Sequence, residues 1–108
     1  MTQDYGGWVY ILASKRNGTL YTGVSNDLIA RVTAHKDGVG SIFTRKYGVT
    51  LLVWFEVHPR IEVAIQRETS IKRWPRKWKL DLIEKSNPEW RDLFEDLTAP
   101  KPLPDWAR

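Results

Sequence analysis

Two β-prone runs, Val9-Tyr10-Ile11-Leu12-Ala13 and Leu20-Tyr21-Thr22-Gly23-Val24, lie on either side of the dipeptide Asn17-Gly18. Asn-Gly is the pair that a type I′ turn asks for, because both central residues need positive φ. The stretch predicts an antiparallel hairpin, and a two-residue turn fixes its register: Arg16 opposite Thr19, Ser14 opposite Tyr21, Leu12 opposite Gly23, Tyr10 opposite Ser25. Side chains alternate along a strand. Val9, Ile11, Ala13, Leu20, Thr22 and Val24 therefore share one face, and Tyr10, Leu12, Tyr21 and Gly23 share the other. The first set is the better core face, which leaves the tyrosines on a face with a different job. A slip of one residue would scramble the assignment.

The run "NDLIARVTAHKDG" has Asn26 or Asp27 as N-cap, Leu28 and Val32 one turn apart, and Gly38 as terminator, so it predicts a helix. Residues 38 to 48 read as a glycine-bounded loop. "VTLLVWFEV" is the most β-prone segment and reads as a central or well-covered strand, ended by His58-Pro59. From Arg60 to about Arg73 the helical period returns, with Ile61, Ala64, Ile65, Glu68 and Ile71 on one face. An unpaired carboxylate in that stripe would cost roughly several kcal/mol, so Glu68 calls for a partner, a metal or a cleft. Pro75 breaks the helix, and "PRKWKLDLIEK" predicts a further short one. Trp90, Leu93, Phe94 and Leu97 have helical spacing that suits packing back onto the domain, and the Pro-rich end beyond Thr98 reads as extended.

With 108 residues the chain suffices for one domain, and 42% apolar with 28% charged residues argues against both a membrane span and wholesale disorder. The absence of cysteine removes disulfides, thiolate metal sites and a cysteine nucleophile. The N-terminus lacks a basic region followed by an apolar one, so no signal peptide is expected and the localisation expected is cytoplasmic. A net charge of +4 favours polyanions such as nucleic acid.

Three constellations suit chemistry, each beside a plainer reading. Arg31 and His35 stand one helical turn apart, as a phosphate clamp or as a solvated arginine beside a partly buried histidine. Tyr10 and Tyr21 are either a stabilising cross-strand pair or site phenols, with Gly23 marking a bulge or leaving room for a ligand. Lys72, Arg73, Arg76, Lys77 and Lys79, interleaved with Trp74 and Trp78, suit a nucleic-acid surface or a solvated helix face. Thr44, Arg45 and Lys46 in the glycine-bounded loop add phosphate-binding candidates. No zinc-ligand spacing, P-loop or dinucleotide fingerprint appears. Any metal must be a hard ion held by few protein oxygens and by the substrate's phosphate.

In chain order, Trp8-Val9-Tyr10, Tyr21-Thr22-Gly23, Arg31, His35, Glu68 within "AIQRETSIKRW" and Asn87-Pro88 resemble the GIY-YIG nuclease superfamily, in particular small members similar to the nuclease part of the excinuclease C subunit, a DNA-repair enzyme. The likeness covers roughly residues 6 to 90 and leaves 91 to 108 as a tail. Trp8, Val9 and Thr22 depart from the motif letters, and Val24 stands where some relatives carry lysine. The resemblance implies an α+β fold: a small three-stranded antiparallel sheet flanked by helices, in the order β-β-α-β-α-α. It implies a metal-dependent endonuclease acting on DNA, with RNA not excluded, and one Mg²⁺ or Mn²⁺ ion on Glu68. Tyr10 and Tyr21 would line the site, Gly23 would be the motif glycine, and Arg31 would steady the scissile phosphate. His35 would occupy a histidine-or-tyrosine position and Asn87 a site asparagine. Arg45, Lys72 and Arg73 are the further substrate-binding candidates, from their charge. The alternative function is a nucleic-acid-binding module of the same fold with little or no catalysis.

Overall fold

A computed structural model describes residues 6–98. Strands β1 (Gly7–Ala13), β2 (Leu20–Ser25) and β3 (Leu51–His58) form one antiparallel sheet in the order β2-β1-β3. Helices α1 (Leu28–Lys36) and α2 (Ile42–Tyr47) precede β3, and α3 (Ile61–Lys72), α4 (Arg76–Ser86) and α5 (Phe94–Thr98) follow it. The α+β class with three antiparallel strands is as expected, with two short helices, α2 and α5, added to the expected order. No helix among the described residues is long and apolar enough to cross a membrane.

The hairpin forms, but not around a two-residue turn. Tyr10 pairs with Gly23 and Leu12 with Tyr21, a register two residues away from the expected one. Asn17 takes φ 58 and Gly18 is not in the left-handed region. The loop instead runs through Lys15–Gly18, closed by Ser14 N–H donating to Thr19 O at 3.0 Å and Gly18 N–H to Lys15 O at 2.9 Å. A shift of two preserves which face each side chain occupies. The faces are therefore as expected although the partners are not.

Both faces of the sheet are covered. Val9, Ile11, Ala13, Val53 and Trp54 pack with Ala64 and Ile71 of α3, Ile83 of α4 and Trp90 on one side. Tyr10, Leu12, Leu28, Val32, Val49 and Leu52 form the second cluster, joined by Leu93, Phe94 and Leu97. The central strand is β1, buried on both sides, whereas β3 lies at an edge and is nonetheless well covered. Ile65, expected on the buried stripe of α3, is 46% exposed, because the inward face of that helix is made by Ile61, Ala64, Glu68 and Ile71.

Between Ile11 and Leu12 the β1–β3 register skips Val53, a bulge. The Val53 carbonyl accepts from Nδ2 of the buried Asn87 at 3.1 Å. Asn87 also donates to Arg91 O and accepts from Arg91 N–H, so its amide is fully committed to holding the chain after α4 against β3. Asp92 fastens the opposite face: it pairs with Lys36 of α1 and accepts from Leu52 N–H of β3, while Leu93 N–H donates to Leu52 O at 2.7 Å. The expected helical spacing from Trp90 to Leu97 is interrupted, since Trp90 has φ 58 and only Phe94–Thr98 is helical. The expectation for the chain beyond Thr98 lies outside the described residues.

Candidate active site

The hairpin and α1 bring three aromatic rings together. Ring centroids lie 6.3 Å apart for Tyr10 and Tyr21, 6.0 Å for Tyr10 and His35, and 5.2 Å for Tyr21 and His35. Asp27 starts α1 at the right phase by accepting from Ala30 N–H, which turns Leu28, Val32 and His35 inward and leaves Arg31 at the exposed rim. Tyr10 is fully buried, Tyr21 half-buried. The Tyr21 hydroxyl has no protein hydrogen-bond partner among the described residues, so it is the phenol open to water or substrate.

Gly23 serves this cluster by its lack of a side chain. A Cβ there would meet the Tyr10 hydroxyl oxygen at 2.4 Å and Cζ at 2.5 Å, so the space is taken by the tyrosine ring and not by a ligand. Gly40 does the same for the histidine, since a Cβ there would lie 2.4 Å from His35 Nδ1.

His35 is wired on both ring nitrogens. Nε2 lies 3.1 Å from the Tyr10 hydroxyl and Nδ1 lies 3.0 Å from Thr44 Oγ1. Thr44 is the buried residue of α2, and its hydroxyl donates to Ser41 O. The Tyr10 proton finds its acceptor in the tautomer that carries its own proton on Nδ1, which donates to Thr44 Oγ1 and leaves the Nε2 lone pair to Tyr10 O–H. Burial and the nearby Arg31 charge lower the His35 pKa, in keeping with this neutral tautomer. Burial, foremost, then the Tyr21 and Glu68 charges, raise the Tyr10 pKa, while Arg31 pulls it the other way by charge and hydrogen bonding. Tyr10 is thus a neutral donor in this arrangement, not a resting tyrosinate.

Glu68 is 9% exposed, and the partner its burial demands is Lys72, one turn on, with Nζ 2.6 Å from Oε2. The ammonium, whose side chain is 53% exposed, forms an ion pair one helical turn along at the mouth of the carboxylate. Among the described residues no group of three or more His, Cys, Asp and Glu side chains clusters to hold a metal. A single carboxylate fits a hard ion completed by water and phosphate.

The other candidates are dispersed. Arg73 caps the C-terminus of α3, on a groove of about 460 Å³ that also borders Ile65, Thr69 and Trp74. Arg45 flanks a shallow depression beside Gly38, Val39 and Ile42, and Lys46 sits over the Tyr47 ring, so neither covers the tyrosine pair in place of the lysine that some relatives have after the motif glycine. Asn87 belongs to the opposite sheet face, where its amide is spent on scaffolding. Thr44, expected as a phosphate-binding residue of a loop, is instead fully buried in α2 and bonded to the histidine, a partnership that sequence reasoning missed. Ser41, which caps α2 by accepting from Thr44 N–H, was the one available signal.

The GIY-YIG catalytic domain family matches residues 6–81. The chain belongs to the GIY-YIG family. A UPF0213 protein of Clostridium perfringens is 43% identical over 76 residues, 70% of this chain and 81% of the relative. One of Staphylococcus haemolyticus is 36% identical over 77 residues, 71% of this chain and 93% of its own. The solution NMR structure of a UPF0213 protein from Bacillus halodurans aligns with a TM-score of 0.51 at 27% identity, covering 88% of this chain and 98% of that one. This GIY-YIG domain is therefore a small member of a nuclease-type family.

Proposed function

We propose that this GIY-YIG domain is an endonuclease that hydrolyses phosphodiester bonds in DNA with the help of one divalent cation, Mg²⁺ or Mn²⁺. The observation that carries this reading is the convergence of Tyr10, Tyr21 and His35, with Arg31 and Glu68 both in electrostatic reach of the Tyr10 phenol. Arg31, at the exposed rim, receives the scissile phosphate through a guanidinium fork that matches its oxygens, and it offsets the charge that builds up there. Tyr21 orients the attacking water through its unpartnered hydroxyl. Behind it, the Tyr10 hydroxyl lies 3.1 Å from His35 Nε2, and the neutral imidazole is the base that takes the water's proton, relayed through the phenol.

Glu68 would hold the cation, and Lys72, its ion-pair partner, stands on a side chain long enough to give up that place to it. The chemistry supplied there is Lewis-acid polarisation of the phosphoryl group and charge for the leaving oxygen. The basic surface of α3 and α4 supplies sequence-independent attraction to the backbone.

The test is cleavage of single-stranded, nicked, flapped and branched DNA in Mg²⁺ or Mn²⁺ by wild type, Glu68→Gln and Arg31→Ala. Wild type should cut at least one of these structures, and each variant should be slower by about a hundred-fold or more. Wild type that binds every substrate and cuts none would make the chain a binding module, and an unimpaired Glu68→Gln would remove this carboxylate from the metal site.

A further inference from the structure

Helix α2 turns its apolar residues outward. Thr44 is its buried residue, while Ile42 is 77% exposed, Phe43 41% and Tyr47 48%, and Val39 just before it is 77% exposed. An apolar surface of this kind marks a binding site more often than it marks chance. Its rings also continue the active-site cluster. Phe43 lies 6.0 Å from Tyr21, and Tyr47 lies 4.9 Å from Phe43, so a line of aromatic rings runs from His35 through Tyr21 and out to the surface.

Within the segment itself the charge has one sign. Arg45 and Lys46 are the only charged residues between Gly38 and Phe55, and Lys46 Nζ stands 5.4 Å over the Tyr47 ring. Exposed aromatic rings beside cations, with no acid among them, are what unpaired nucleobases and their phosphates require. A duplex keeps its bases stacked on each other and has no free face to offer these rings.

The geometry points to α2 as a stacking track for unpaired DNA, in which Phe43 and Tyr47 take the bases next to the phosphate received by Arg31. This deepens the nuclease reading, on which it rests for the place of the scissile phosphate. The rings position substrate and do no chemistry.

Binding can be separated from cleavage by working in EDTA. The probes are a mixed-sequence DNA strand carrying 2-aminopurine, the same strand as a duplex, and the RNA of the same sequence, with full-length wild type, Phe43→Leu, Phe43→Trp and Tyr47→Leu. Circular dichroism confirms that each variant is folded. Stacking predicts quenched 2-aminopurine fluorescence with wild type and Phe43→Trp, and about five-fold or greater weakening for the single strand in both leucine variants, with duplex affinity unchanged. Leucine keeps the apolar contact and lacks the π-face, so single-strand binding unaffected by Phe43→Leu and Tyr47→Leu overturns the track. Equal weakening for strand and duplex overturns it too, as does RNA bound as tightly as DNA, or a wild-type dimer that Phe43→Leu dissolves. Adding Mg²⁺ to the same complexes reports on catalysis separately: a track that binds as described with no cleavage leaves this inference standing and sinks the nuclease.

Discussion

Tyr10 and Gly23 occupy a single volume. The ring fills the space where a side chain at 23 would begin, with less than 3 Å between its outer atoms and a Cβ. Gly23→Ala therefore pushes on a phenol that is anchored at its far end by His35 and cannot simply rotate out of the way. The cost should be about 1–3 kcal/mol, the usual range for overpacking a well-filled core. It should appear as a lowered Tm together with a shifted His35 imidazole NMR signal, because the Tyr10–His35 contact has to yield. An alanine variant with wild-type Tm and an unmoved imidazole signal would show that the ring is not held tightly in this volume. Glu68 carries a second lesson at this scale. Its place in an apolar stripe demanded a partner on energetic grounds, and Lys72 supplies it.

At the scale of elements, the bulge in β3 and the end of α4 depend on each other. The register skips Val53, and Asn87 satisfies the Val53 carbonyl while it binds Arg91 on both sides of its amide. Asn87→Ala strands these backbone groups in a buried place and should lower stability by about 1–3 kcal/mol, read as a fall in the denaturation midpoint in urea without a change in slope. A midpoint unchanged from wild type would show that water replaces the amide. The hairpin's faces were legible in the sequence because alternation depends only on odd and even positions. Its register was not, since the choice between a two-residue turn and the four-residue loop with Asn17 in the left-handed region is settled by how Ser14 and Thr19 close it. Helix α2 was illegible for a related reason. Six residues give too few turns for a period, and what stabilises them is Ser41 at one end, Gly48 in the left-handed region at the other, and His35 across the gap. The role of Asn87 was hidden because nothing in a linear pattern reveals a bulge two elements away.

For the whole molecule, the site is part of the core. One cluster packs the sheet's α3 face, and the other contains Tyr10 itself, so the residues proposed for chemistry also hold the domain together. Stability should then follow pH on both sides. His35 is held below its usual 6.5, chiefly by burial, so on the acid side the unfolded chain takes up a proton that the folded chain refuses. That contribution is complete above about pH 6.5 and is lost as pH falls through the lowered folded value. Tyr10 is held above its usual 10.0, again chiefly by burial, so its contribution is complete below about pH 10 and is lost as pH rises beyond that. Thermal unfolding across pH should give a plateau between these limits, and His35→Gln should flatten the acid shoulder relative to wild type. A shoulder identical in the variant would assign it to other groups. The shared volume of Tyr10 and Gly23 also bears on ancestry. A lineage can enlarge residue 23 only after residue 10 has shrunk, and each change alone passes through a damaged intermediate, so the two positions should drift as one hereditary unit, nearly frozen while the sequence around them diverges.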